Sequence, residues 1–269
     1  MTQPTVQAFF DPVTNTVTYL VADPATKAAA IIDPVLDHDP ASGADSTASA
    51  DAVLREAERQ GMTIVWLLET HAHADHLSAA DYLRRRTGSA IGVGARIIEV
   101  QQTFADRFAL PTPGPEVFDR LFADGDRFAL GDLSVEVIHT PGHTPACVSY
   151  RIGDTVFVGD TLFMPDFGTA RADFPGGDAA TLYHSIHRIL ALPDDTHVFV
   201  GHDYLPKDGR ADFRWETTVA AERADNIHVG AGRDQAAFVA MRTARDATLP
   251  PPKLLEPALR ANIHAGATS

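Results

Sequence analysis

Four apolar, β-branched stretches in this chain each run straight into residues of metal-ligand type, and that repeated junction limits the folds open to it. Ile64-Val65-Trp66-Leu67-Leu68 leads to His71-Ala72-His73-Ala74-Asp75-His76. Residues 133–138 lead to His139-Thr140-Pro141-Gly142-His143, residues 155–158 to Gly159-Asp160, and residues 197–200 to Gly201-His202. A strand followed by a ligand, four times over, is how a sheet carries imidazoles and carboxylates on loops at one edge.

The spacing has a chemical meaning. On an extended loop, His71 and His73 aim at a common point, while Asp75 and His76 turn toward a neighbouring one. Neutral imidazole and carboxylate are the usual ligands of zinc and of non-haem iron. A lone His-x-His occurs by chance on exposed loops; the six-residue form with His143, Asp160 and His202 reads as a metal site. The other candidates are weaker. His139 is expected to pack, His184 and His187 to lie on a solvated helix face, and His38, His197, His228 and His264 carry no supporting spacing. Cys147, at the start of a strand, reads as a packing residue. Asp33-Pro34 is either a carboxylate behind a ligand imidazole or a plain turn.

The rest of the chain surrounds these junctions with alternating elements. Strands are expected at 16–21, 28–32, 63–69 and 198–200, a polar loop at 37–50 with Ser49 as N-cap, and helices at 51–60, 78–86 (ended by Gly88), 95–108 and 178–191. The PTPGP run at 111–115 punctuates the third of these helices. A β-meander is expected over 117–158, with turns at Asp124-Gly125-Asp126 and Gly153-Asp154. The tail from 213 reads as helical until Pro250-Pro251-Pro252. With no fixed-period repeat and no long linker, residues 1–269 read as one domain. Its architecture is a four-layer αββα sandwich, two sheets back to back with helices outside and the site along one edge.

Composition narrows the function. Thirty-six acidic against 22 basic residues give a net charge of −14, which argues against nucleic acid or an anionic membrane as partner. An anionic substrate then needs a local basic patch. The N-terminal residues lack a basic stretch followed by an apolar core, no apolar run approaches the ~20 residues of a bilayer span, and Cys147 is alone. A reducing cytoplasm is the expected setting.

His71-Ala72-His73-Ala74-Asp75-His76 with His143, Asp160 and His202, over residues 64 to 204, resembles the metallo-β-lactamase superfamily. The resemblance implies a site for up to two metals, with His71, His73 and His143 in one cluster, Asp75, His76 and His202 in the other, and Asp160 between. The flanking words are more specific. Thr140–Tyr150, Gly159–Phe163, the Gly168-Thr169-Ala170-Arg171-Ala172-Asp173-Phe174 run, Gly201–Tyr204, Glu222-Arg223 with Asn226, and the terminal Pro252–Asn262 resemble the persulfide dioxygenase family. They are closest to its bacterial β-lactamase-hydrolase-like branch, linked to sulfide detoxification. That family oxidises glutathione persulfide with O2 and water to glutathione and sulfite. The resemblance implies one Fe(II) per chain on His71, His143 and Asp160, a 2-His-1-carboxylate face with open positions for persulfide sulfur and O2. His73, Asp75, His76 and His202 would then act around the metal or hold a second one. Arg171 and Tyr204 match positions that hold the glutathione moiety; Lys207, Arg210 and Arg214 either extend the basic patch or form a solvated loop. Zinc can replace iron during expression.

Two departures matter. Thr169 stands where better-known mitochondrial members carry a cysteine two residues before the arginine, so no thiol assistance carries over there. Some bacterial relatives add a rhodanese domain; this chain has no spare length, so a sulfur transferase is expected to be a separate protein. A homodimer is expected from relatives. The competing enzyme is a dinuclear hydroxyacylglutathione hydrolase of the glyoxalase II type, which all seven ligand-type residues would equally serve. A non-catalytic metal- or persulfide-binding protein is the remaining reading.

Overall fold

The computed structural model describes residues 3–109 and 112–268. Met1 and Thr2, at the start of the segment tested for an export signal, lie outside the described residues, as do Ser269 and Leu110–Pro111, where the PTPGP run begins. The first half contains β1 (Thr5–Asp11), β2 (Thr16–Ala22), β3 (Ala28–Ile32), β4 (Val35–Asp39), β5 (Ala44–Ser46) and α1 (Ala48–Arg59). It continues with β6 (Thr63–Leu68), β7 (Leu77–Ser78), α2 (Ala80–Thr87), β8 (Ala90–Gly94), α3 (Ile97–Phe108) and β9 (Arg120–Phe122). The second half contains β10 (Arg127–Leu130), β11 (Leu133–His139), β12 (Val148–Ile152), β13 (Thr155–Phe157) and α4 (Ala179–Leu190). After these come β14 (His197–Phe199), β15 (Glu216–Thr218), α5 (Val219–Asp225), α6 (Gln235–Asp246) and α7 (Leu255–Asn262).

Strand order is β1-β2-β3-β6-β8-β9 in one sheet and β10 to β15 in chain order in the other; β5-β4-β7 form a small third sheet. The pairs β3–β6, β6–β8, β8–β9 and β13–β14 are parallel. Each therefore needs a crossover, supplied by α1, α2, α3 and α4.

Alternation along the strands builds three cores. On β2, Val17, Tyr19 and Val21 point between the sheets while Leu20 and Ala22 point outward. Val135 and Val137 on β11, Val148, Tyr150 and Ile152 on β12, and Phe157 and Phe199 meet them from the second sheet. Outside the first sheet, Ala50, Val53 and Ala57 of α1 recur at helical spacing and pack with α2, α3 and α7. Outside the second sheet, Leu182, Ile186 and Ile189 of α4 cover Val156, Val158, Val198 and Val200, with Phe238 of α6. The layers are αββα.

Several local expectations are corrected. β1, not foreseen, pairs antiparallel with β2 along seven residues. The polar stretch 37–50 carries β4, β5 and the start of α1; Thr47 is its N-cap, and Ser49 Oγ instead donates to Asp37 Oδ1 at 2.5 Å. The meander starts at β10, because β9 pairs with β8 in the other sheet, so the turn at Asp124–Asp126 carries the chain between sheets. β14 is not the last strand: β15 pairs with it before α5, and α7 forms beyond the prolines. Gly88 ends α2 in the left-handed conformation, and Asp178 caps α4 by accepting from Thr181 N at 2.7 Å.

Candidate metal centre

All seven ligand-type residues sit at the C-terminal ends of strands from both sheets. His71, His73, Asp75 and His76 follow β6; His143 follows β11, Asp160 follows β13 and His202 follows β14. Six of the seven side chains are buried, Asp75 being half-buried. The sheets are joined beneath them by backbone hydrogen bonds: Val17 N to Gly201 O at 2.9 Å, Asp203 N to Asn15 O at 3.1 Å and Val148 N to Thr70 O at 2.9 Å. Tyr150 Oη adds a fourth, donating to Glu69 O at 2.8 Å.

Each imidazole has one nitrogen committed to the protein, which leaves the other lone pair for the cleft. Thr70 Oγ1 donates its proton to Asp33 Oδ2 at 2.8 Å, so it accepts from His71 Nδ1 at 3.0 Å. His143 Nδ1 donates to Arg171 O at 2.7 Å, and His76 Nδ1 to Leu77 O at 3.1 Å. His202 Nδ1 donates to Asn15 O at 3.2 Å. His73 is reversed: its Nε2 lies 3.1 Å from Asp33 Oδ1 and 3.2 Å from Glu69 Oε2, so Nδ1 is the open atom. His71 Nε2, His73 Nδ1, His76 Nε2 and Asp160 Oδ1 are buried without a hydrogen-bond partner. Buried polar atoms are almost always satisfied, so four such acceptors at one edge fit a cation.

Ligand atoms of His71, His143 and Asp160 lie within 4.8 Å of one another. His143 Nε2 is 3.6 Å from Asp160 Oδ2, and the His71 and His143 rings stand 5.1 Å apart at 87°. His73, Asp75 and His202 form a second such group; His73 also belongs to a third, with Asp33 and Glu69. His73 groups with Asp75 and His202, and its ring also stands 4.1 Å from that of His71. His202 Nε2 lies between Asp75 Oδ2 at 3.4 Å and Asp160 Oδ1 at 3.3 Å, which links the first two groups.

Electrostatics follow the same division. Burial, then the neighbouring imidazoles, push His71 well below the ordinary histidine range; burial and His73 push His76 down to about 4. Both are neutral at pH 7, the form that binds a metal. Burial opposes protonation of His73 too, but Asp33 and Glu69 outweigh it and raise the group. His202 is likewise raised against burial, by Asp160 and Asp75.

The outer residues are placed as follows. Arg171 directs its fork at Asp173, Nε to Oδ1 at 2.6 Å and Nη2 to Oδ2 at 2.8 Å, and its Nη1 at Pro250 O. A substrate carboxylate must take its remaining N–H groups or displace Asp173. Tyr204 stacks on His202, centroids 5.6 Å apart at 17°. Lys207 and Arg214 are exposed, whereas Arg210 is tied to Asp203 and Asp166. Asp33 lies behind His73, and His139 Nε2 donates to Pro145 O at 2.8 Å. Burial raises the Cys147 thiol to about 12, far from thiolate at neutral pH. Thr169 Oγ1 turns away to His228 Nδ1 at 3.1 Å. Beside His143, Ala72, Ala74, Phe174, Pro175 and Leu259 form an apolar wall.

Sequence reasoning missed the residues that hold the loops. Glu69, read as the end of a strand, accepts from Ser78 Oγ and touches His73. Asn262 donates to the carbonyls of His73 and His76, both at 2.9 Å, and accepts from Ser78 N at 2.8 Å. The only sequence signal for Asn262 was its place in the terminal words.

Known proteins share this chain's sequence and fold. A "Beta-lactamase hydrolase-like protein" of Xylella fastidiosa is 52% identical over 265 residues, 98% of this chain but 61% of that protein. The chain thus spans less than two thirds of that relative's length. "Glyoxylase B2" of Dictyostelium discoideum is 48% identical, over 92% of this chain and 86% of that protein. The mitochondrial persulfide dioxygenase ETHE1 of Homo sapiens is 31% identical, over 97% of this chain and 88% of that protein. The crystal structure of ETHE1 from Myxococcus xanthus superposes with a TM-score of 0.78 at 33% identity, covering 98% of this chain and all of that one. The metallo-β-lactamase superfamily model matches residues 11–202, from the end of β1 through His202, and the chain belongs to that superfamily.

Proposed function

We propose that this chain is a persulfide dioxygenase, oxidising glutathione persulfide with O2 and water to glutathione and sulfite at one Fe(II) held by His71, His143 and Asp160. Two imidazoles and one carboxylate with ligand atoms within 4.8 Å carry this reading, because that is the donor set of mononuclear non-haem iron. The likeness to ETHE1 from two organisms supports it. The reaction balances: the sulfane sulfur gives up four electrons, O2 accepts four, and the S–S bond is replaced by a thiol and sulfite. Bound there, Fe(II) supplies open coordination positions and the one-electron steps by which O2 reacts with a closed-shell sulfur.

The chain's own residues do the rest. Thr70 and the Arg171 carbonyl fix His71 and His143 as Nδ1–H tautomers, each presenting Nε2. Glu69 and Asp33 anchor His73 by Nε2, so its remaining atom faces Asp75 and His202. In this reading those groups hold water and exchange protons as persulfide is consumed. Arg171, Tyr204 and Lys207 receive the glutathione moiety, Arg171 by its free N–H groups. Residues 1–269 act as one catalytic domain in the cytoplasm. Among the described residues, no helix is long and apolar enough to cross a membrane.

The test is oxygen uptake by anaerobically iron-loaded protein on addition of glutathione persulfide, with a chelated control. Iron-dependent uptake with one sulfite per O2 is expected. No uptake by protein that holds iron would refute the reading in favour of thioester hydrolysis. That second reading, a dinuclear hydrolase, draws on the His73, Asp75 and His202 group and on the open His76 Nε2. The names of the 52% and 48% relatives agree with it. Metal content separates the two: one iron per chain against two zincs.

A further inference from the structure

His143 is held by a peptide that is itself held by a carboxylate. The Arg171 carbonyl accepts from His143 Nδ1 at 2.7 Å. The N–H of the same peptide unit, on Ala172, donates to Asp246 Oδ2 at 2.9 Å. In a trans peptide the C=O and N–H point in opposite directions, so carboxylate, peptide and imidazole form one hydrogen-bonded line. The other oxygen, Asp246 Oδ1, accepts from Arg242 Nε at 2.8 Å and lies 2.6 Å from Nη2, four residues earlier on α6. Arg242 Nη1 donates to Thr169 O at 3.1 Å, so the pair grips residues 169–172 on both sides of Arg171. Arg242 is 1% exposed and Asp246 5%. A buried ion pair of this kind adds little net stability; its evident contribution is to geometry and to the field along that peptide.

We propose that Asp246 is a positioning residue for the metal centre: it polarises the Arg171–Ala172 peptide and, through that one plane, orients His143 and strengthens its donation to the metal. Metal-bound imidazoles commonly give their second N–H to a carboxylate or a carbonyl, and losing such a partner costs 10–100-fold in metal affinity. Here the carbonyl is the direct partner and the carboxylate stands behind it. Serial hydrogen bonds reinforce one another, and the intervening peptide places the expected loss at the low end, about tenfold.

The inference rests on His143 being a ligand, as in the proposed function, and the test keeps the two apart. Cobalt(II) is titrated into metal-free protein, with affinity read by chelator competition and the ligand field read from the visible bands. Asp246→Asn, which keeps an acceptor for Ala172 N–H but removes the charge, is expected to bind cobalt about tenfold more weakly, with displaced bands. Asp246→Glu, which restores the charge, is expected to recover both. A folded Asp246→Asn protein with affinity within about twofold of the parent and identical bands would overturn the relay, provided that His143→Ala loses cobalt. If His143→Ala binds cobalt like the parent, the ligand assignment falls and the relay with it. Should Asp246→Asn not fold, the parent decides: the Ala172 amide resonance must shift on zinc loading, and an unmoved resonance refutes the relay.

Discussion

Asn262→Ala removes a clamp on the metal loop whose size can be worked out from the hydrogen bonds. The side chain is 5% exposed and makes three bonds of 2.8–2.9 Å, to His73 O, His76 O and Ser78 N. Truncation leaves three buried backbone groups without partners, at about 1–3 kcal/mol each. A water entering the vacated volume recovers part of this, so the expected loss is about 3 kcal/mol. In a domain of this size that lowers the melting temperature by roughly 6–12 °C. The assay is thermal melting of metal-free protein by circular dichroism, where no metal compensates. Asn262→Asp keeps the acceptor for Ser78 N but sets a carboxylate oxygen against two carbonyls. It should cost at least as much at neutral pH and recover as acid supplies a proton to donate. A fall below about 3 °C for the alanine variant would show that these bonds are not holding the loop.

His143→Ala should leave circular dichroism unchanged and abolish iron retention, measured by elemental analysis; a variant that keeps one iron per chain would refute its role. Arg171→Ala should raise KM for glutathione persulfide roughly tenfold with kcat little changed, because it removes a contact remote from the reacting sulfur. A large fall in kcat at unchanged KM would instead place Arg171 in the chemistry. Burial raises the Glu222 carboxyl from 4.5 to about 8, an effect only partly offset by Asn226. The unfolded chain then releases that proton first, so stability is full below pH 4.5, falls as pH rises toward 8 and is flat above it. Glu222→Gln should remove on the order of 4 kcal/mol of that fall, read from urea midpoints between pH 5 and 8.5; an unchanged slope would refute the assignment.

What could be read in the sequence was whatever depends on neighbours along the chain. The four strand-ligand junctions, the stop at Gly88 and the helix of 178–191 are local patterns that survive folding, whereas the cap expected at Ser49 fell at Thr47 because the polar stretch before it folds into β4 and β5. β1 escaped because Thr5 is exposed and the other six residues are only half-buried, with Gln7 and Asp11 interrupting the apolar pattern, whereas β2 is buried along its whole length. β9 escaped because a three-residue strand looks the same in either sheet. The residues that stabilise the ligands were harder still. Glu69, Asn262 and Asp246 act through backbone groups or imidazoles as much as 189 positions away, and nothing in a helix such as α6 or α7 advertises which carbonyl its polar side chain will meet. The grouping of His73 with Asp75 depends on which ring nitrogen Asp33 and Glu69 claim, a matter of three-dimensional placement alone.

The seam of bonds from Val17 to Gly201, Asp203 to Asn15 and Val148 to Thr70 has a mechanical consequence. It ties the two sheets together backbone to backbone along the edge that carries the candidate ligands, whereas at the opposite edge side chains bridge them, Asp132 N donating to Asp23 Oδ2 at 2.8 Å and Asp154 N to Gln3 Oε1 at 3.2 Å, around the interdigitated apolar core. When the sandwich breathes, the side-chain bridges of the far edge can exchange for water and part first, while the backbone-bonded spine runs under the histidines. Amide exchange should accordingly be slowest at Val17, Val148 and Asp203 and quicken with distance from them, even in metal-free protein. The candidate ligands would keep their spacing through fluctuations that loosen the far edge.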